Sequence, residues 1–236
     1  MNVNRIPLFL MLHRIIESNN QIKSDYDIKF SNFELIAKSI YEINNNLKKK
    51  NLTIIPTFDD GNKSDLICAR LLNKYKIKGI FFIIINKINE PEYLTKNDLL
   101  EIKELGHHIG SHTMSHLTCP TSNSEVVFKE LCKSKTYLEE LLKNECEHFA
   151  FPGGLYNSRD FILAKKAGYK YIFNTFEKLP SSLNADKPIS RMHIRQSTLK
   201  TISSIFELKK SYYLMRFFRS YLRNLKYKFI NKSKLD

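Results

Sequence analysis

No stretch of this sequence reaches the roughly 18 consecutive apolar residues that a membrane-spanning helix needs. The apolar run Ile6–Leu12 has only Arg5 before it and His13-Arg14 after it, with no small-residue cleavage site of the kind that ends a signal peptide. It is expected to be a first β-strand, in a protein that is cytoplasmic or peripheral on the cytoplasmic membrane face. The four cysteines, Cys68, Cys119, Cys132 and Cys146, form no C-x-x-C pair, and a chain of 236 residues needs no disulfide framework, so they read as ordinary reduced or buried residues. Glycine is scarce at seven, so each glycine beside a candidate motif carries weight. No internal repeat and no low-complexity linker interrupts the chain. A hydrophobic content of 42% suits a globular α/β domain and argues against disorder.

What is present is a rhythm of strand then helix. Residues 30–47 are expected as a helix, with Ser31 as N-cap and Leu35, Ile36, Ile40 and Ile43 at helical spacing. The run Leu52–Phe58 is a strand, Leu66, Ala69, Leu72 and Tyr75 trace a helix, and residues 80–85 form a strand covered on both faces. Thr95 caps a helix over 96–105, residues 107–111 are a short strand, and Ser124–Leu142 is a long amphipathic helix. Residues 147–151, 158–167 and 169–174 continue as strand, helix and strand. Parallel strands with crossover helices follow, in a barrel or in an open doubly wound sheet. In either, ligands gather at the C-terminal ends of the strands.

Thr57-Phe58-Asp59-Asp60-Gly61 places two carboxylates at such an end. Successive strand side chains point to opposite faces, so the two aspartates can take different tasks, and Gly61 lets the chain turn sharply. Taken alone, Asp-Asp-Gly is ordinary turn chemistry. His112-Thr113-Met114-Ser115-His116 changes its meaning. At roughly 3.3 Å per residue an extended strand would hold the two imidazoles about 13 Å apart, whereas a helical turn makes them neighbours able to share one ion. A helical turn is therefore expected. Two histidines and one carboxylate, with a fourth position open to water, are the ligand set of a hydrolytic metal site, and the other aspartate can take a proton from the attacking water.

These residues resemble the polysaccharide deacetylases of the NodB-homology type, carbohydrate esterase family 4, over about residues 6–194. The family's T-F-D-D-G stands intact at 57–61 and implies Asp59 as catalytic base and Asp60 as metal ligand. Its H-[ST]-x-x-H, matched after Gly110-Ser111, implies His112 and His116 as the other ligands of a divalent cation, with zinc favoured by the His/carboxylate set. The third motif, R-x-P-x-G, survives as Ala150-Phe151-Pro152-Gly153-Gly154, with Pro152 and Gly154 expected to line the substrate. Ala150 replaces the arginine that positions the base, and Arg191 is the substitute. Gly153 would offer its backbone N–H to the oxyanion. The form F-A-[FY]-P-x-G is similar to the branch acting on poly-N-acetylglucosamine. The last motif, L-x-H, implies His193 as the acid that releases the amine, although Arg191 occupies the leucine's place. His13, in Met11-Leu12-His13, resembles an M-Y-H start and would line the site.

The resemblance implies a distorted (β/α) barrel that removes N-acetyl groups from a glycan in surface-polysaccharide biosynthesis. Two rivals are a weak or inactive glycan-binding relative and a hydrolase of a small amide or a lipid-linked sugar, the latter favoured by the cytoplasmic expectation and the basic C-terminal extension. The catalytic domain is expected over 1–199 and a basic amphipathic C-terminal extension over 200–236, which carries +8 of the chain's net +14. Ile205, Leu208, Tyr212, Met215, Leu222, Leu225 and Phe229 keep helical spacing there, with Phe217, Phe218 and Tyr221 on the apolar side. Such a helix either packs on the barrel or lies on an anionic membrane surface. Nothing resembles a base-reading motif, so no specific nucleic-acid partner is expected.

Overall fold

The structure, a computed structural model, describes residues 5–46 and 52–219. In chain order the elements are β1 (Ile6–Leu12), β2 (Ile15–Ile16), β3 (Ile28–Lys29), α1 (Phe30–Asn45), β4 (Leu52–Phe58), α2 (Asp65–Lys74), β5 (Ile80–Ile83) and α3 (Lys96–Glu104). They continue with β6 (His108–Ser111), α4 (Ser124–Leu142), β7 (His148–Ala150), α5 (Ser158–Lys166), β8 (Tyr171–Phe173), β9 (Arg191–His193) and α6 (Ile202–Phe206), and residues 210–219 are again helical. Seven strands form one parallel sheet in the order β8-β7-β6-β5-β4-β1-β9, and β2 pairs with β3 apart from it. The sheet curls until its ends meet. Ile189, just before β9, bridges Phe173 in parallel, its N–H donating to Ile172 O at 2.7 Å and its carbonyl accepting from Asn174 N–H at 2.9 Å. The result is a nearly closed, distorted (β/α) barrel whose seam is one bridge wide.

Alternation along the strands sorts their side chains into two cores. Phe9, Ile80, Phe82, Ala150 and Phe173 fill the barrel interior as one cluster. Their neighbours in sequence, such as Leu8, Leu10, Phe81, Phe149 and Ile172, belong to the larger cluster beneath the helices. Both faces are apolar because a parallel sheet is covered on both. Gly110 of β6 is the gap that lets the interior fill, since a Cβ there would stand 2.8 Å from the Phe82 ring and from His148 O. At the C-terminal mouth the same inward parity runs on from apolar residues to polar ones: from Phe9 to His13, from Ile55 to Asp59, from Gly110 to His112 and from Ile189 to Arg191 and His193.

Several local expectations shift. Helix α1 starts at Phe30, with Lys29 and not Ser31 in the N-cap position. Its buried stripe is Phe33, Ile36, Ala37 and Ile40, and Leu35 is 64% exposed, because Phe33 fixes the phase of the helix. Strand β5 stops at Ile83, and Ile85 and Asn86 instead donate their N–H groups to Thr113 O and Met114 O at 3.2 and 2.8 Å. Thr95 caps α3 as expected, accepting from Asp98 N–H. In the C-terminal extension Ile205 and Tyr213 join the main core, and Tyr213 Oη donates to Ile205 O at 3.0 Å. Met215 is exposed beside Leu214 and Phe218, so the inward stripe of helix 210–219 passes through Tyr213 and Arg216 and not through Met215. Tyr221, Leu222, Leu225 and Phe229 lie outside the described residues. Among the described residues, no helix is long and apolar enough to cross a membrane.

Candidate active site

The two aspartates at the tip of β4 part company at once. Asp59 follows Thr57 into the barrel mouth and is 3% exposed. Its neighbour turns away, because Asp60 has φ 80° and Gly61 φ 75°, a left-handed conformation that strains a non-glycine residue by about 1–3 kcal/mol. The backbone thus spends strain to aim Asp60 at the loop after β6.

Asp59 meets Arg191 across the barrel. The guanidinium donates Nη1 to Oδ1 at 2.5 Å and Nη2 to Oδ2 at 2.9 Å, a bidentate pair. The same arginine donates to Thr57 Oγ1 at 3.2 Å and to Asn174 O at 3.2 Å, and its flat face lies over the Phe82 and Phe173 rings, 5.1 and 5.9 Å from their centroids. Ala150 supplies only a methyl group to that interior cluster. Burial alone would push the Asp59 carboxyl up. The Arg191 charge, with a smaller contribution from His112, overrides burial and holds Asp59 down at about 2. Asp59 is therefore an ionised carboxylate in a buried place.

Asp60 gathers the histidines. His112 Nε2 lies 3.7 Å and His116 Nε2 3.5 Å from the same Asp60 Oδ1. The helical turn expected between the histidines is absent. Thr113 and His116 adopt φ 67° and 62°, and this irregular loop brings the imidazole centroids to 5.0 Å. Side chains hold the loop: Thr113 N–H donates to Ser111 Oγ at 3.1 Å and Leu117 N–H to Thr113 Oγ1 at 3.0 Å. Glu130 of α4 accepts from the N–H groups of Met114 and Ser115 at 2.9 and 3.0 Å.

These three residues fit one cation. Their ligand atoms lie within 4.8 Å of one another, and ligands about 2.1 Å from a tetrahedral ion stand about 3.4 Å apart, close to the Asp60 distances. His112 Nδ1 lies 2.8 Å from Ala150 O. A carbonyl only accepts, so Nδ1 carries the proton and Nε2 keeps its lone pair toward Asp60. Burial pushes His112 down to about 3, against the pull of Asp59, and also lowers His116, so both imidazoles are neutral, as ligands must be. Burial raises Asp60, with His13 working against it and Asp59 with it.

The remaining sequence candidates lie around this centre. Pro152 and Gly154, expected to line the substrate, are buried and shape the turn after β7, while Gly153 is exposed with φ 60°. Only glycine fits at 154, where a Cβ would meet Thr175 Oγ1 at 2.0 Å. His13 lies near enough to both aspartates to favour their charged forms, and its ring is 4.7 Å from that of Tyr26. Tyr26 in turn meets His193 edge-on at 5.8 Å. His193 is 2% exposed, with Nδ1 3.2 Å from Glu177 Oε1 and 3.2 Å from Arg195 Nη2. Sequence reasoning did not single out Thr57, Tyr26, Glu130, Glu177, Arg195 or Arg216. Thr57 carried a signal inside its motif. Glu130 sits on an ordinary amphipathic helix and carried none.

Known proteins are similar to this chain in sequence and in fold. The peptidoglycan-N-acetylglucosamine deacetylase of Bacillus cereus is 34% identical over 142 residues, which cover 59% of this chain and 62% of that protein. A poly-β-1,6-N-acetyl-D-glucosamine N-deacetylase of Staphylococcus aureus is 29% identical over 140 residues, covering 52% of this chain and 48% of that one. The chain thus spans about half to three-fifths of the length of these relatives. A solved Streptococcus pyogenes deacetylase in complex with acetate superposes with a TM-score of 0.75 at 21% identity, over 86% of this chain and 98% of that one, and shares the fold. The model of one family, described as polysaccharide deacetylase, matches residues 46–172, more than half of the chain, and the chain belongs to that family.

Proposed function

We propose that this protein is a metal-dependent hydrolase that removes N-acetyl groups from a glycan. The observation that carries the reading is the pairing, at one barrel mouth, of an Asp60/His112/His116 cluster with an ionised, arginine-held Asp59. Asp60, His112 and His116 would hold the cation. When bound, it would polarise the amide carbonyl and make a water molecule more acidic, and zinc suits the ligand set.

The chain's own residues supply the rest. Asp59 accepts the proton of the attacking water as its oxygen bonds to the carbonyl carbon, and Arg191 fixes the carboxylate for that task. The Gly153 N–H donates a hydrogen bond to the developing oxyanion. His193 gives a proton to the sugar nitrogen as the C–N bond breaks, leaving acetate and an amine. Pro152 and Gly154 set the turn that presents Gly153, and His13 lines the mouth. The two relatives act, by their names, on peptidoglycan and on poly-β-1,6-N-acetylglucosamine, and N-acetylated glycans of these classes are the substrates proposed.

Acetate release from β-1,6-linked N-acetylglucosamine oligomers, from peptidoglycan fragments and from lipid-linked N-acetyl sugars, with and without chelator, tests the reading. Release from at least one, abolished by chelator and restored by zinc, is expected. No release from any of them by the zinc-loaded protein would favour an inactive glycan-binding relative. Exposed Leu214, Met215 and Phe218 beside Lys209, Lys210 and Arg219 favour a second role for the extension, on an anionic lipid surface. Equal pelleting with liposomes of the full chain and of a Leu214→Ser/Met215→Ser/Phe218→Ser variant would reject that role.

A further inference from the structure

The seam of the barrel is closed by side chains, and one of them comes from the C-terminal extension. In a parallel strand the N–H and C=O of one residue point to the same neighbour, and those of the next residue to the other. Just past β9, Ile194 N–H donates to Met11 O of β1 at 2.9 Å. The N–H and C=O of His193 therefore face the opposite side, where β8 has already ended. Buried peptide groups demand partners. His193 N–H donates to Glu177 Oε1 at 3.1 Å, and His193 O accepts from Arg216 Nη2 at 2.9 Å. Arg216 also donates Nε to Glu177 Oε2 at 3.0 Å and Nη2 to Glu177 Oε1. Glu177, Arg216 and His193 are each no more than 3% exposed.

We infer that Arg216 and Glu177 are positioning residues for the reaction, and that helix 210–219 is part of the active-site scaffold. The inference rests on the roles proposed above for His193 and Asp59. Arg216 and Glu177 together stand where a neighbouring strand would, and they fix β9 at His193. Two residues earlier the same strand carries Arg191, which holds Asp59. Glu177 also faces the His193 ring, 3.2 Å from Nδ1, with Arg195 Nη2 at 3.2 Å and Tyr26 edge-on. Arg216 therefore sets both the strand and the carboxylate that His193 meets. Tyr213, one turn earlier on the helix and 1% exposed, anchors it to the core.

The test uses the full chain as Arg216→Met, Arg216→Lys, and Arg216→Met/Glu177→Gln, which removes both charges together and avoids leaving a buried carboxylate unpaired. Three quantities are read: kcat and KM for acetate release from N-acetylglucosamine oligomers, zinc content, and the NMR titration midpoint of the His193 ring. Arg216→Met is expected to lower kcat tenfold to hundredfold, part of the roughly 10²–10⁴-fold that positioned proton transfer supplies. KM and zinc content should stay within about twofold by the same argument, because neither substrate nor cation touches Arg216. The His193 midpoint should move, Arg216→Lys should restore part of kcat, and the double variant should stay folded with kcat still low. An unmoved midpoint in a folded Arg216→Met protein, or an unchanged kcat in the double variant, overturns the inference. If His193→Gln leaves kcat unchanged while Arg216→Met still moves the midpoint, the positioning stands and the assignment of His193 as the acid fails.

Discussion

The two sides of the barrel mouth solve opposite problems. On one side Asp59 and Arg191 are buried, charged and locked together by a bidentate pair. On the other, Asp60, His112 and His116 are a carboxyl group and two neutral imidazoles, held by a loop with left-handed residues and partly open to solvent. The first side keeps a charge where burial opposes it. The second keeps lone pairs available where protonation would remove them. Two neighbouring residues just beyond the end of β4 serve both because Asp60's φ of 80° breaks the alternation between them.

The sharpest way to break this contrast is Asp59→Asn. Acetate release should fall by about 10³-fold, the range of a lost general base, while zinc measured by atomic emission stays at the wild-type level. Loss of zinc in step with activity would show that the two sides are one site without division of labour.

Next comes Arg191→Met, which leaves a buried carboxylate unpaired and should destabilise by about 3–5 kcal/mol. Its pH dependence carries the test. In the wild type Asp59 sits at about 2, below its ordinary value, so it contributes stability above the carboxylate range and loses it as pH falls toward 2. Without the arginine, burial dominates and the folded state binds a proton that the unfolded state releases. Stability should then fall as pH rises through the carboxylate range. Urea denaturation at pH 4 and pH 7 would show the reversal, and parallel profiles for the two proteins would refute it.

Within the metal side, His112 is seated by Ala150 O and His116 is 45% exposed. His112→Ala should weaken zinc binding about tenfold more than His116→Ala, the scale of an orienting hydrogen bond to a ligand. Competition with a chromophoric chelator measures both. Equal losses would remove the distinction.

The smallest effect lies at the far end of the barrel, where His148 opens β7 beside His108. Burial, reinforced by the His108 charge, pushes His148 down to about 3, below the unfolded value of about 6.5. The unfolded state therefore takes up the proton first, and stability drains away as pH falls below about 6.5. His148→Gln should make the fall in melting temperature from about pH 6.5 to about pH 4 shallower, with His112 still contributing, without altering acetate release per folded molecule. An unchanged slope would place the acid sensitivity elsewhere.

How much of this could be read in advance depended on distance along the chain. The strand-and-helix rhythm, the capping by Thr95 and the limits of α4 follow from local patterns, and the sequence shows them directly. The motif residues at 57–61 and 112–116 are contiguous, so their chemistry is visible even though the helical turn between the histidines was the wrong geometry. Positive φ at Thr113 and His116 leaves no trace in composition. The Arg191–Asp59 pair spans 132 residues, and only the gap left by Ala150 pointed to it. Glu177 and Arg216 sit in stretches whose polar residues look solvated, and the unpaired edge of β9 that recruits them does not exist until the barrel closes. Leu35 and Met215 misled for one reason: a stripe of apolar residues fixes a helix's period more firmly than its phase.

The methyl group at Ala150 has a consequence for how such a chain can change. A guanidinium answers to the carboxylate it reaches, and not to the strand that carries it. Arginine at 150 and arginine at 191 at once would bury two cations against one anion. A chain with arginine at neither position would strand Asp59 unpaired. Both intermediates are costly, so exchanging one arrangement for the other takes two substitutions made together, and a search that asks only which residue stands at position 150 would misread the occupied form as the broken one.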